Sequence, residues 1–349
     1  MAKLIVTLGP STKTSQKLSL IKSRGVDFVR INMSHSSIDE IELHRSLFVG
    51  NKQKISIKPR EIIDQLEVGD LLYVDFDSLV LVVTDTITVE EGYVKAQVIS
   101  SGSLGSNKGI VIDPRINRRI ELPVLTEKDI EAINLGLKYN ISHVAASFMR
   151  NKDSVKFVRK ISQNKMKIIS KIECRDALIH LDEIIEESDF LLLDRGDLSK
   201  EIPIEKIPFS QKIIINRAKH FDKKVFVATN LLESMILNQK PTRAEVHDII
   251  NTLVDGAYGL TLAAETAIGK NPIDCINVLY KIVNHFDNIV DKDYLKNKET
   301  KFISFLEDKK YLLKGNISSS LIKPHGGKLI DRFFPPPFSK NELDSLNCI

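Results

Sequence analysis

The chain has 349 residues, enough for two or three domains at roughly 100–200 residues each. Hydrophobic residues make up 42% and charged residues 28%, with 16 Gly and 12 Pro, a balance that excludes a disordered or fibrous chain. Fifty basic residues stand against forty-six acidic ones, a net charge of +4 without a basic arm, and Trp is absent, so no nucleic-acid partner is expected.

The run from Met1 to Val6 enters a strand-like segment at once, without signal-peptide features, and no later stretch reaches about 18 apolar residues. Neither secretion nor a membrane is expected. Cys174, Cys275 and Cys348 are far apart, odd in number and in no CxxC spacing, which points to a reducing cytoplasmic setting without disulfides or zinc.

Short apolar runs of strand length follow along the chain: Leu4 to Leu8, Phe28 to Ile31, His143 to Ala146, Lys167 to Ile172, Phe190 to Leu193, Val225 to Ala228 and Gly259 to Leu262. Helical periodicity marks Glu127 to Lys138, Asp153 to Gln163, Arg175 to Glu187, Ser210 to His220 and Ala244 to Val254. This repetition of β then α predicts an α/β fold, a (β/α)₈ TIM-type barrel. Between about Gln65 and Leu122 the helical period disappears, and Leu71 to Val74, Leu79 to Val83 and Tyr93 to Ile99 read as a small β-rich lid. The expected domains are residues 1–64 as the first part of the barrel, 65–122 as the lid, 123–290 as the rest of the barrel and 291–349 as a linker and tail. The tail is Lys-rich and carries Pro335-Pro336-Pro337, which ends any helix.

Barrel chemistry sits at the C-terminal ends of strands, so the polar residues found there are the candidates. They are Arg30 to His35, Lys171-Ile172-Glu173, Asp194-Arg195-Gly196-Asp197 and Thr229-Asn230. Lys171 and Glu173 are two apart and share one strand face. They read either as a structural ion pair or, with Asp197 at the next strand end, as an oxygen-ligand site suited to Mg²⁺. Gly196 to Leu198 opens a short helical turn whose free N–H groups suit an anion. Arg30 reads as a phosphate clamp or a salt-bridge partner, and His35 as a ligand contact or a cap. The other seven histidines stand in no metal-ligand spacing.

In this order the residues resemble the pyruvate kinase family. The resemblance is carried by Val6 to Pro10, Arg30 to His35, Gly102 to Gly109 followed by Leu122 to Asp129, and Ala146 to Arg150. It continues through Ile169 to Glu173, Arg195 to Leu198, Ala228 to Met235 and Pro241 to Glu245, so that it covers roughly residues 1–290 and is thinnest between 45 and 90. It implies Mg²⁺-dependent phosphoryl transfer from phosphoenolpyruvate to ADP, giving pyruvate and ATP. Lys171 would neutralise the phosphoryl group, Glu173 and Asp197 would bind Mg²⁺, and Arg30 would contact the phosphate. Gly196 would bind substrate, and Thr229 would sit near the enolate carbon. Asn32 and Ser34 would help to hold K⁺, and His35 and Lys108 would lie near the nucleotide.

Departures from the family pattern accompany the matches. Where the family carries Asp-Thr/Leu-Lys-Gly-Pro-Glu-Ile-Arg, only Ile55 to Ile62 is available, which puts Ser56 in place of a K⁺-binding carboxylate and brings K⁺ dependence into question. Asp194 replaces a small residue beside the substrate carboxylate, and Ala263-Ala264-Glu265-Thr266 replaces Ser-Gly-Glu-Thr. The family's C-terminal regulatory domain is not recognised, and Leu321 to Arg332 resembles the opening of ATP sulfurylase. Two further readings stand beside the kinase: a catalytically degenerate regulatory or scaffold barrel, and a Mg²⁺-dependent lyase or aldolase acting on enolates. Family members are usually tetramers, and a homo-oligomer no larger than a dimer, or a monomer, is expected here.

Overall fold

The computed structural model describes residues 1–12, 14–32, 46–49, 53–57, 60–74, 79–87, 89–90, 92–102, 109–113 and 120–289. Ser34, His35, Lys108 and the 291–349 tail with its ATP-sulfurylase-like segment lie outside them. The chain divides into two compact units, one of residues 1–32, 142–156 and 167–349, the other of residues 33–141 and 157–166.

The strands in chain order are β1 (Lys3–Leu8), β2 (Phe28–Ile31), β3 (Ser46–Val49), β4 (Gln53–Ser56), β5 (Leu71–Val74), β6 (Leu79–Asp85), β7 (Tyr93–Ser100), β8 (Ile110–Ile112), β9 (His143–Ala146), β10 (Lys167–Ile172), β11 (Phe190–Asp194), β12 (Lys224–Ala228) and β13 (Gly259–Leu262). In the first unit, the seven strands expected from the apolar runs form one parallel sheet in the order β2-β1-β13-β12-β11-β10-β9. Strands such as Phe190–Asp194 are buried on both faces, which is why they read as continuous apolar runs rather than alternating ones. Among the described residues the sheet has seven strands, with β2 and β9 at its edges.

The segment around Ser56, which the resemblance sets at a K⁺-binding position, lies in the other sheet. Gln53–Ser56 pairs antiparallel with Ser46–Val49 in the other sheet, Ser46 opposite Ser56, so Ser56 does not extend the parallel sheet. The connection between these two strands is only residues 50–52, a hairpin length, whereas a parallel crossover needs a dozen or more residues.

Ile5, Ile169, Leu192, Phe226 and Ala228 fill the core against the parallel sheet. At the N-terminal ends of the strands, rings gather around Phe226: Tyr258 at 5.4 Å, Phe190 at 6.0 Å and Phe28 at 6.2 Å between centroids. The first and last strands are tied by hydroxyls as well as by backbone, since Thr7 Oγ1 donates to the Leu262 carbonyl at 2.9 Å and Thr266 Oγ1 to the Thr7 carbonyl at 2.8 Å.

The second unit holds a six-stranded sheet in the order β4-β3-β7-β6-β5-β8. Strands β5 and β6 alternate buried and part-buried residues, as one-sided sheets do, and Leu72, Val74, Leu79, Leu81, Val83, Val94 and Ala96 close a core with Ile57, Ile63 and Leu66. The β-rich stretch expected from residue 65 thus takes in Ser46–Val49 and Gln53–Ser56 too.

The helices are α1 (Ser15–Ser23), α2 (Glu127–Lys138), α3 (Lys152–Ile161), α4 (Arg175–Ile179), α5 (Leu181–Glu187), α6 (Arg195–Leu198), α7 (Ile207–His220), α8 (Arg243–Val254), α9 (Ala264–Ala267) and α10 (Pro272–Ile289). Two start with reciprocal caps, Thr126 with Asp129 and Thr242 with Glu245, which satisfy backbone donors that the first turn leaves open. Among the described residues no helix is long and apolar enough to cross a membrane.

Candidate active site

Parallel pairing brings the C-terminal ends of β2, β10, β11 and β12 to the same edge of the sheet, and with them the candidates Arg30, Lys171, Glu173, Asp194, Asp197 and Thr229. Lys171 and Glu173 share a face as their spacing predicts, and the ammonium lies 2.6 Å from Glu173 Oε2. It also lies 3.2 Å from Asp194 Oδ2 and donates to Ser147 Oγ at 3.4 Å. Glu173 is fully buried, and its second oxygen accepts from the Phe148 N–H at 2.8 Å. Phe148 reaches this position in the left-handed region, at φ 51°, a conformation that a bulky residue adopts only under constraint.

These charges set one another's protonation. Burial opposes the charged form of Lys171, but the attraction of Glu173 and Asp194 outweighs it and holds the ammonium above its ordinary value. Burial raises Glu173, with Lys171 offsetting only part of the effect and Asp194 adding to it. Burial pushes Asp194 up too, but Lys171, the Thr229 hydroxyl and the Asp197 N–H together bring it below the usual carboxylate value. Asp194 is therefore a buried, ionised carboxylate. Its contribution to stability is present above the ordinary carboxylate pKa and is lost as the pH falls through its lowered value. An Asp194→Asn variant should accordingly show a flatter acid limb in a pH series of urea midpoints, and an unchanged limb would contradict this account.

The Asp194 carboxylate does not point away from the site. Its Oδ1 accepts from Thr229 Oγ1 at 2.5 Å and, as the N-cap of α6, from the Asp197 N–H at 3.4 Å. The next residue, Arg195, holds the other end of Thr229, donating to its carbonyl at 2.7 Å while its second terminal nitrogen binds Asp248 at 2.8 Å. Thr229 and Asn230 sit at φ 78° and 56°. For a β-branched residue such a backbone costs on the order of 1–3 kcal/mol, and it persists because neighbours over-determine it. Asp194 and Arg195 are those neighbours.

Gly196 completes this clamp by being small. A Cβ at that position would lie 2.6 Å from Thr229 Cγ2, below any normal contact. Gly196→Ala is expected to displace Thr229 and lower turnover by about tenfold or more, on the scale by which small misplacements of reacting groups act. Steady-state kinetics with a melting curve as control would check it, and full activity would contradict the packing argument.

Arg30 stands at the end of β2 with its Nε buried and without an acceptor among the described residues. Burial lowers its pKa, while Asp194, Glu173 and Glu265 counteract as the nearest charges. Glu265, buried beneath the site, accepts from the Ala263 N–H at 2.8 Å and the Leu232 N–H at 3.2 Å. Side-chain spacing does not mark Glu265, which enters the sequence only within the Ala263-to-Thr266 match to the family, because its partners are backbone groups that any residue would offer. Ala263 itself brings only its N–H to this network. Asn32 follows β2 directly.

Glu173, Asp194 and Asp197 each offer one carboxylate oxygen, and the three oxygens lie within 4.8 Å of one another. Three hard oxygen donors at that spacing suit a divalent cation such as Mg²⁺. Asp197 also pairs with Lys200 at 2.6 Å. The two described cysteines take no part: burial pushes the thiols of Cys174 and Cys275 up to about 12 each, far from a reactive thiolate.

Comparison with known proteins points to a family. The family model described as pyruvate kinase, barrel domain, matches residues 40–276. A pyruvate kinase of Methanocaldococcus jannaschii is 34% identical over 326 residues, covering 83% of this chain and 71% of its own length. A pyruvate kinase of Thermotoga maritima is 33% identical over 330 residues, with 80% and 70% covered. A pyruvate kinase of Geobacillus stearothermophilus is 28% identical over 350 residues, and the chain spans 59% of that relative's length.

Proposed function

The chain belongs to the pyruvate kinase family, and on that premise we propose that it transfers a phosphoryl group from phosphoenolpyruvate to ADP, with Mg²⁺, yielding pyruvate and ATP. The observation that carries the reading is the Lys171 ammonium held among carboxylates at the strand ends, beside the clamped Thr229. Phosphoryl transfer asks little covalent chemistry of a protein and much charge placement, which is what a buried lysine and an arginine with an open N–H supply.

In this reading Arg30 and Lys171 receive the phosphoryl oxygens and neutralise charge as it spreads over them. Glu173 and Asp197, with Asp194 beside them, would hold Mg²⁺, which would supply Lewis-acid stabilisation of developing negative charge. Thr229 stands over the enolate carbon, its hydroxyl fixed by Asp194, and Gly196 leaves room for both. The roles of Asn32 and Ser34 toward K⁺, and of His35 and Lys108 toward the nucleotide, follow from the family resemblance. We place the enzyme in the cytoplasm, acting on small-molecule substrates as a homo-oligomer or a monomer.

The test is pyruvate release from phosphoenolpyruvate and ADP in a coupled assay with Mg²⁺, with and without K⁺. Turnover dependent on Mg²⁺ and absent from a chelated sample is expected. A folded protein without turnover would move the assignment to the degenerate barrel, a reading that one observation favours: Asp194 engages both Lys171 and Thr229, the groups a substrate would use.

A further inference from the structure

Asp194 is an anion placed where the phosphoryl-transfer reading needs a substrate anion to arrive. Its two oxygens take Lys171 at 3.2 Å and the Thr229 hydroxyl at 2.5 Å, and its side chain is only 12% exposed. The same carboxylate stands within 4.8 Å of oxygens from Glu173 and Asp197. On the other side of the charge balance, Arg30 Nε is buried and has no acceptor among the described residues, while Asp194, Glu173 and Glu265 act on its charge.

We infer that Asp194 makes anion binding at this site conditional on a divalent cation: Glu173, Asp194 and Asp197 would hold the cation together, and Asp194, once engaged there, would leave Lys171 and Thr229 to the anion. Without the cation, a phosphate or carboxylate group has to take Lys171 from two carboxylates at once and then lie against the negative charge of Asp194. Like charges at such distances in a partly dehydrated site oppose binding strongly. With Asp194 serving as the third carboxylate ligand, Lys171 would keep Glu173, at 2.6 Å, as its carboxylate partner and turn its remaining N–H groups to the anion. Asp194 thus acts as a cation-binding and ordering residue for the site, and its substrate arm rests on the proposed function while its metal arm does not.

Two variants separate charge from shape. Asp194→Asn keeps the size and the helix cap but loses the charge, and Asp194→Glu keeps the charge. Calorimetric titration of the full chain with Mn²⁺ alone is expected to show binding weakened roughly tenfold or more in Asp194→Asn and retained within about threefold in Asp194→Glu. Titration of the metal-free proteins with inorganic phosphate should show the reverse, tighter binding to Asp194→Asn than to the parent chain. Equal Mn²⁺ binding by the parent chain and Asp194→Asn, equal weakening in both variants, or unchanged metal-free phosphate binding each overturn the inference. Failure of the kinase reading shows separately, as absent turnover in a parent chain whose Mn²⁺ binding still follows the charge at 194.

Discussion

Lys171→Met should abolish turnover and lower stability together, and the two losses have different origins. The ammonium is the cation within 2.6 Å of Glu173 and 3.2 Å of Asp194, so its removal leaves two buried carboxylates facing each other. Removing one partner of a buried ion pair costs about 3–5 kcal/mol, because the remaining charge has neither water nor counter-ion. The sign of the pH dependence follows. In the parent chain Lys171 lies above its ordinary value, so its contribution is complete below the pKa of an unfolded lysine and fades only as the pH rises through the higher folded value. In the variant the two carboxylates instead take up protons, and a protonated carboxyl needs no cation. The gap in urea midpoint between parent and variant should therefore be widest near neutrality and narrow toward acid. A gap that is absent, or that widens in acid, would contradict the shared-lysine account.

Phe226→Ala should produce a stability loss of similar size with a different signature. Phe226 is 1% exposed, and three rings close on it within 6.2 Å at the strand ends remote from the site. Truncating a buried phenylalanine costs about 3–5 kcal/mol through lost transfer energy and the cavity left behind. The Gly259 backbone packs directly on the ring, since even a Cβ there would lie 2.6 Å from it. Because the rings lie at the opposite ends of the strands from Lys171 and Thr229, the KM of the folded fraction should hold while the urea midpoint drops. Phe226→Leu, which keeps most of the volume, should lose well under half as much. A large KM change with an unchanged midpoint would contradict the separation of core and site.

The parallel sheet was legible because its central strands are buried on both faces and alternate along the chain with helical periodicity. Lys171 and Glu173 could be paired from spacing alone, since strand alternation is a local rule. Other features come from contacts that spacing does not encode. The hydroxyl bond from Thr229 to Asp194 spans 35 residues, and Asp194 read in sequence as an anion out of place rather than as the partner of Lys171 and Thr229. The four residues Gln53–Ser56 follow the same alternation in either sheet, and only the three-residue connection to Ser46–Val49 decides their partner. Glu265 is held by backbone donors alone, which leaves no signature in side-chain pattern.

The pairing of β1 with β13 joins residues 3–6 to residues 259–262, and Thr7 is bonded to Leu262 and Thr266 across the same gap. By contrast, β9 through β12 pair successively with the next strand along the chain. As the ribosome delivers the polypeptide, the stretch carrying Lys171, Asp194 and Thr229 has its neighbours at hand, while the strand pair bearing Arg30 waits for more than two hundred residues to emerge before its seat exists. Such distant closure is slow, so the guanidinium should be the last part of the candidate site to arrive. During that interval β1 and β2 are the segment most exposed to capture by chaperones or by other nascent chains.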